Sequence, residues 1–131
     1  MQAPNARKPV AEFLQVKGER RLAVLNAPKP VDARIGAEDA RAPAKAADVV
    51  VLFVRNHAEL DKKLVGTLGS LRGGALFWLA YPKLTSPIAG DLNRDIIGSL
   101  APTYGLKPVA QIAIDSDWSA LRFKPTQERP N

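Results

Sequence analysis

Lys83, Thr85, Ser86 and Asp91 crowd into one stretch, "YPKLTSPIAGD", between an apolar run and a run of helical periodicity. An ammonium, two hydroxyls and a carboxylate in one loop could hold an anion or relay a proton. The bland alternative is punctuation, with Ser86–Pro87 or Asp91 starting the next helix. Lys83 is the residue hardest to explain that way. Asp115 and Asp117, with Asp91, are oxygen ligands for a hard cation, but a polar turn accounts for the first two without an ion. We therefore expect no metal.

His57 is the single histidine. A multi-histidine metal site is excluded, and as a general base it would need a nucleophile or substrate beside it. It reads as an exposed residue in the first turn of a helix. The chain has no cysteine, which removes disulfides, thiolate metal sites and cysteine nucleophiles.

The elements that must position these groups follow from periodicity. "RKPVAEFLQV" has short helical spacing with Gly18 as a stop. "RRLAVLNAP" is an apolar run halted by Pro28 and Pro30, strand A. Residues 28–47 are alanine-rich but broken by Gly36 and Pro43, leaving room for a short strand or a helical turn. Val49 to Val54 are continuously apolar, as in a strand buried on both faces, strand B.

A helix follows, with Asn56 as cap, Glu59 three residues on, and Leu60, Leu64, Leu68 and Leu71 on one face with Val65 beside them. "GALFWLAY" is strand C. Leu92, Ile96, Ile97 and Leu100 mark a second amphipathic helix with Pro102 inside its pattern and Gly105 as its stop. Leu92 and Ile96 are assigned to the core. "KPVAQIAID" and "WSALRFKP" are strands D and E, joined by a short polar turn at Ser116 and Asp117. The alternation predicts an α/β fold: a small Rossmann-like three-layer sandwich whose sheet of about five strands is mostly parallel, ending in a β-hairpin.

Two resemblances bear on this layout. Asp48 to Phe123 is similar to the C-terminal half of a class I methyltransferase fold, which implies the strand order A-B-C-E-D. "RLAVLNAP", "DVVVLFVRNHAEL", "WLAYPK", "DLNRDI" and "DSDWSALRF" together resemble a bacterial family of small proteins, domain-of-unknown-function family 3052, over most of Arg20 to Pro125. That family implies a fold and brings no activity with it.

Cofactor enzymes of this fold need a glycine-rich turn after the first strand, so that backbone can approach the ligand. Here the turn reads "LNAPKP", with no glycine and two prolines. "GTLGSLRGG" lies within and after a helix, and no GxxxxGK[ST] occurs. No cofactor is expected.

Ligands of α/β sheets bind outside the carboxyl ends of the parallel strands. That rim carries Asn26 after A, Arg55 and Asn56 after B, Lys83, Thr85 and Ser86 after C, Asp91 before the next helix, and Asp115 and Trp118 at the D–E turn. Trp118 could cover the rim or pack on a neighbouring helix; packing is favoured. Arg94 and Asp95 read as surface helix charges, though Arg94 could fold back to the loop.

Length and composition fit one domain over 1–131, with loose ends at about 1–6 and 126–131: the chain has 131 residues, 46% hydrophobic and 24% charged. The net charge of +6 admits anionic partners, but the basic residues are scattered and aromatic residues are only 6%, against a nucleic-acid surface. No apolar run is long enough to cross a membrane and no export signal opens the chain, so a cytoplasmic protein is expected. The functional expectation is a binding or regulatory module that lacks the glycine-rich cofactor loop; its candidate partners are an anionic small molecule and a second copy, since strand A lies near an edge that another chain could cover. The alternatives are a small enzyme on an anionic metabolite, using Lys83 and Arg55 for charge and Asp91 or Asp115 for proton transfer, and a nucleic-acid-binding accessory protein.

Overall fold

The structure, a computed structural model, describes residues 10–126. The loose ends expected at 1–6 and beyond 126 lie outside these residues. Thr126 lies inside them, and its N–H donates to the Gly105 carbonyl at 2.9 Å.

In chain order the elements are α1 (Val10–Phe13), β1 (Leu22–Leu25), α2 (Lys29–Ile35), two 3-10 turns (Glu38–Ala40 and Ala44–Ala46), β2 (Val49–Phe53) and α3 (His57–Ser70). Then come β3 (Leu76–Pro82), α4 (Arg94–Leu100), a 3-10 turn (Ala101–Tyr104), β4 (Leu106–Ala113) and β5 (Trp118–Pro125). One sheet runs β1-β2-β3-β5-β4. The first two pairings are parallel and the last two antiparallel. The sheet is therefore mixed, where the sequence predicted a mostly parallel one. The reason is topological: β5 follows β4 through a tight turn, so it runs opposite to both strands it joins.

β2 explains the layering. Val49, Val51 and Phe53 belong to one core with Leu14, Val31, Ile35, Trp78 and Trp118. Val50, Leu52 and Val54 belong to another with Leu60, Leu64, Leu79, Leu92 and Ile97. Side chains alternate across a strand, so six consecutive apolar residues feed two cores, one under α1 and α2 and the other under α3 and α4. The Trp78 indole N–H donates to the Leu14 carbonyl at 3.0 Å and fixes the N-terminal segment on its face.

The segment left open at residues 28–47 does more than a short crossover. α2 carries Val31 and Ile35 into the first core, whereas Ala44 packs on the second. Between them Arg41 bridges to Leu22, and the Ala42 N–H donates to the Leu22 carbonyl at 2.9 Å. The chain thus passes round the outer edge of β1 from one face of the sheet to the other. The edge expected to await a second copy is occupied at Leu22 by the chain itself.

Pro102 does not kink a helix. α4 ends at Leu100, and Pro102 sits in the first turn of the following 3-10 segment, where its missing N–H is not required. Gly105 then closes that segment at φ 74°. Ile96, expected in the core, is 36% exposed, and Val65 is 63% exposed. In both helices the buried face is narrower than the apolar pattern, and Ile97 rather than Ile96 points inward.

Candidate functional site

At the ends of β1 and β2 the expected rim residues bond to one another. Asn26 adopts φ 63°, a left-handed conformation that asparagine tolerates better than most residues. Its amide donates to the Phe53 carbonyl at 2.8 Å and to Glu59 Oε1 at 3.3 Å. Asn56 caps α3, its Oδ1 accepting from the Glu59 N–H at 2.9 Å. Glu59 reaches back one residue further than a standard capping box, accepting from the Arg55 N–H at 2.8 Å and pairing with its guanidinium at 3.3 Å. Partial burial pushes the Glu59 carboxyl up, but the Arg55 hydrogen bonds and charge and the Asn26 amide outweigh it and hold the group below its ordinary value. Asn26, Arg55 and Asn56 are thus tied into a knot that joins two strand ends to a helix start.

Asp91 has a role that spacing did not suggest. It does not cap α4; Asn93 does, its Oδ1 accepting from the Ile96 N–H at 3.0 Å. Asp91 Oδ1 instead accepts from the His57 N–H at 2.8 Å, satisfying a free donor at the start of α3. His57 Nδ1 lies 3.3 Å from Asp61 Oδ2.

Ser86 and the β4–β5 turn clamp each other. The buried Ser86 hydroxyl donates to Asp117 Oδ1 at 2.7 Å and accepts from the Ile88 N–H at 3.1 Å. The Lys83 N–H donates to the Asp117 carbonyl at 2.8 Å. Asp115 Oδ1 accepts from the N–H groups of Asp117 and Trp118, both at 2.8 Å, and so shapes the turn itself. Trp118 does not cover the rim: it is 4% exposed and meets the Phe53 ring edge-on at 5.0 Å. No group of three or more histidine, cysteine, aspartate or glutamate side chains is placed to hold a metal among the described residues.

An open cleft of about 360 Å³ lies beside this clamp, and Lys83 and Thr85 line it. Its other walls are Tyr81, Leu84, Asn93, Arg94, Asp95, Gln111 and Ser119. Gln111 orders the wall: its Oε1 accepts from Arg94 Nη1 at 3.1 Å, and its Nε2 donates to the Tyr81 hydroxyl at 3.2 Å. Burial pushes the Tyr81 phenol above its ordinary value, against the pull of the nearby Arg94 charge. The Lys83 ammonium makes no hydrogen bond or ion pair among the described residues. Two cations therefore face one cleft, opposed by the Asp95 carboxylate, 3.8 Å from Arg94 Nε.

Of the rim candidates, only Lys83 and Thr85 reach this cleft. Tyr81 falls within the rim segment 81–86 that the sequence places after strand C, whereas Asn93, Gln111 and Ser119 are not among the residues it points to. Gln111 is the one with a readable signal, a lone amide inside the apolar run of an edge strand.

The architecture is shared with solved structures of other proteins. Mitomycin 7-O-methyltransferase MmcR superposes with a TM-score of 0.52 at 9% identity, over 88% of this chain and 52% of that one. The chain thus spans about half the length of that methyltransferase. A chain of the fibrillarin/Nop5p complex gives 0.51 at 10% identity, over 94% of this chain and 83% of that one. A protein in the NADB-Rossmann superfamily from Streptococcus agalactiae gives 0.48 at 11% identity, over 100% and 72%. At such identities the first two likenesses establish the α/β fold and nothing about chemistry. No curated protein sequence matches the chain. The family model for DUF3052, "Protein of unknown function", matches residues 29–127, and the chain belongs to that family.

Proposed function

We propose that this protein is a binding or regulatory module that takes a small anion in the Lys83–Arg94 cleft. The observation that carries this reading is an asymmetry between the two sides of the rim. After β1, where enzymes of this fold hold their cofactor, Asn26 and Glu59 are engaged in hydrogen bonds, and the hollow of about 400 Å³ beside Asn26 has one cation, Lys63, in its lining. After β3 there is an open cleft with an ammonium that has no partner among the described residues and a guanidinium held by Gln111. Arginine presents a planar fork and lysine a mobile point charge, a combination suited to carboxylate or phosphate groups.

The enzyme alternative loses its proton carriers. Asp91 and Asp115 are engaged with backbone N–H groups, and neither lines the cleft. Arg55, assigned to charge in that scheme, is paired with Glu59. Nucleic-acid binding remains a third reading without a concentrated basic face to support it.

A thermal-shift panel of inorganic phosphate, nucleoside phosphates and di- and tricarboxylates tests the proposal. A true ligand at about 100 times its Kd should stabilise by about 2.7 kcal/mol, and Lys83→Ala and Arg94→Ala should each diminish that shift. A ligand whose shift survives both substitutions, or a panel without any shift, would overturn it.

A further inference from the structure

Next to the Lys83–Arg94 cleft a second hollow of about 610 Å³ runs between α4 and the β4–β5 pair. Arg94, Asp95 and Gln111 line both, so the two form one groove with the Arg94–Gln111 bond at its waist. Beyond the waist the walls change character. Gly98 and Ser99 of α4 face Pro108 and Leu121 of the sheet, and no lysine or arginine other than Arg94 takes part.

The hollow has a structural origin. β4 sends only Leu106 into the core beneath α3 and α4. Its pairing with β5 shifts register between Pro108 and Ala110, at a residue that has no N–H to donate. The seven-residue α4 therefore has little on β4 to pack against, and a strip of sheet stays uncovered.

We infer that this groove holds an amphipathic carboxylate: the head at Lys83 and Arg94, the tail over Leu121 and Pro108 against Gly98. The inference rests on the anion-binding reading above and adds the class of ligand. Charge decides the orientation. Both cations lie at one end or at the waist, and the Asp95 carboxylate repels a second anionic group further in. The far end is floored by apolar atoms that gain from burial under a hydrocarbon tail.

Gly98 supplies the test. A Cβ built there meets nothing within 4 Å, so the fold can accept a larger side chain that would project into open space beside the hollow. Calorimetric titration of butanoate, hexanoate, octanoate and decanoate should show affinity rising up to about fourfold per added methylene. Gly98→Leu, and separately Ser99→Leu from the same wall, should flatten that dependence while leaving inorganic phosphate binding and the circular dichroism spectrum unchanged. Lys83→Ala combined with Arg94→Ala should weaken phosphate and every fatty acid alike. Phosphate binding with no gain from chain length, or a chain-length gain that survives both leucine variants, overturns the groove and spares the anion site. Failure of phosphate and all the carboxylates to bind overturns both.

Discussion

At the scale of residues, Glu59 is the junction of the rim. One carboxylate accepts from the Asn26 amide, the Arg55 N–H and the Arg55 guanidinium. Its carboxyl is held below the ordinary value of 4.5, so the ionised form is favoured by folding. That contribution is fully present above the unfolded-state pKa and is lost as pH falls through the lower, folded-state one. Glu59→Gln should therefore be less stable than the parent at neutral pH in urea melts. The gap should narrow as pH drops below about 4.5; a gap independent of pH would show that the charge contributes nothing. The two carboxamide caps are a sharper contrast with Asp91. Asn93→Ala should cost about 1 kcal/mol through α4, and Asn56→Ala about the same through α3. Asp91→Ala should act on α3 instead, exposing the His57 N–H, and amide exchange at His57 would report it.

At the scale of elements, α3 shows what patterning can and cannot predict. Leu60 and Leu64 are buried as their spacing requires, while Val65 projects into solvent. Leu64→Ala should destabilise by about 2–5 kcal/mol in chemical denaturation, because it empties a filled position in the core; Val65→Ala should change stability little. Spacing locates the apolar stripe, but the width of the buried face depends on what stands opposite. Ile96 and Ile97 make the same point, adjacent in α4 with only the second buried. Strand β4 reads as an ordinary apolar strand in sequence. Its alternating exposure follows from its place at the sheet edge, with α4 too short to cover it.

At the scale of the whole molecule, both sheet edges are guarded. The Leu22 position of β1 is bridged by Arg41, whose guanidinium pairs with Asp32 at 2.9 Å and donates to the Gly36 carbonyl at 3.0 Å. The β4 edge carries Lys107, Pro108 and a shifted register, devices that discourage strand addition. Light scattering should accordingly give the mass of one chain. Arg41→Ala should loosen the β1 edge and increase self-association, and a two-chain mass unaffected by that change would place any dimer elsewhere. Among the described residues no helix is long and apolar enough to cross a membrane.

Sequence by itself determined the strands, the two long helical patterns and the cap at Asn56, because these depend on neighbours within a few residues. It also pointed to the rim and to Lys83, since strand ends follow once the strands are known. The strand order came from resemblance, and no periodicity states that β5 lies between β3 and β4. Which rim groups bond to each other was decided only in three dimensions. Asn26 meets Glu59 across 33 residues, His57 meets Asp91 across 34, and Ser86 meets Asp117 across 31. Such pairings use up polar groups that look available in the sequence. They leave Lys83, joined by Arg94 and Gln111 from elements that local pattern could not bring together, at the mouth of the groove.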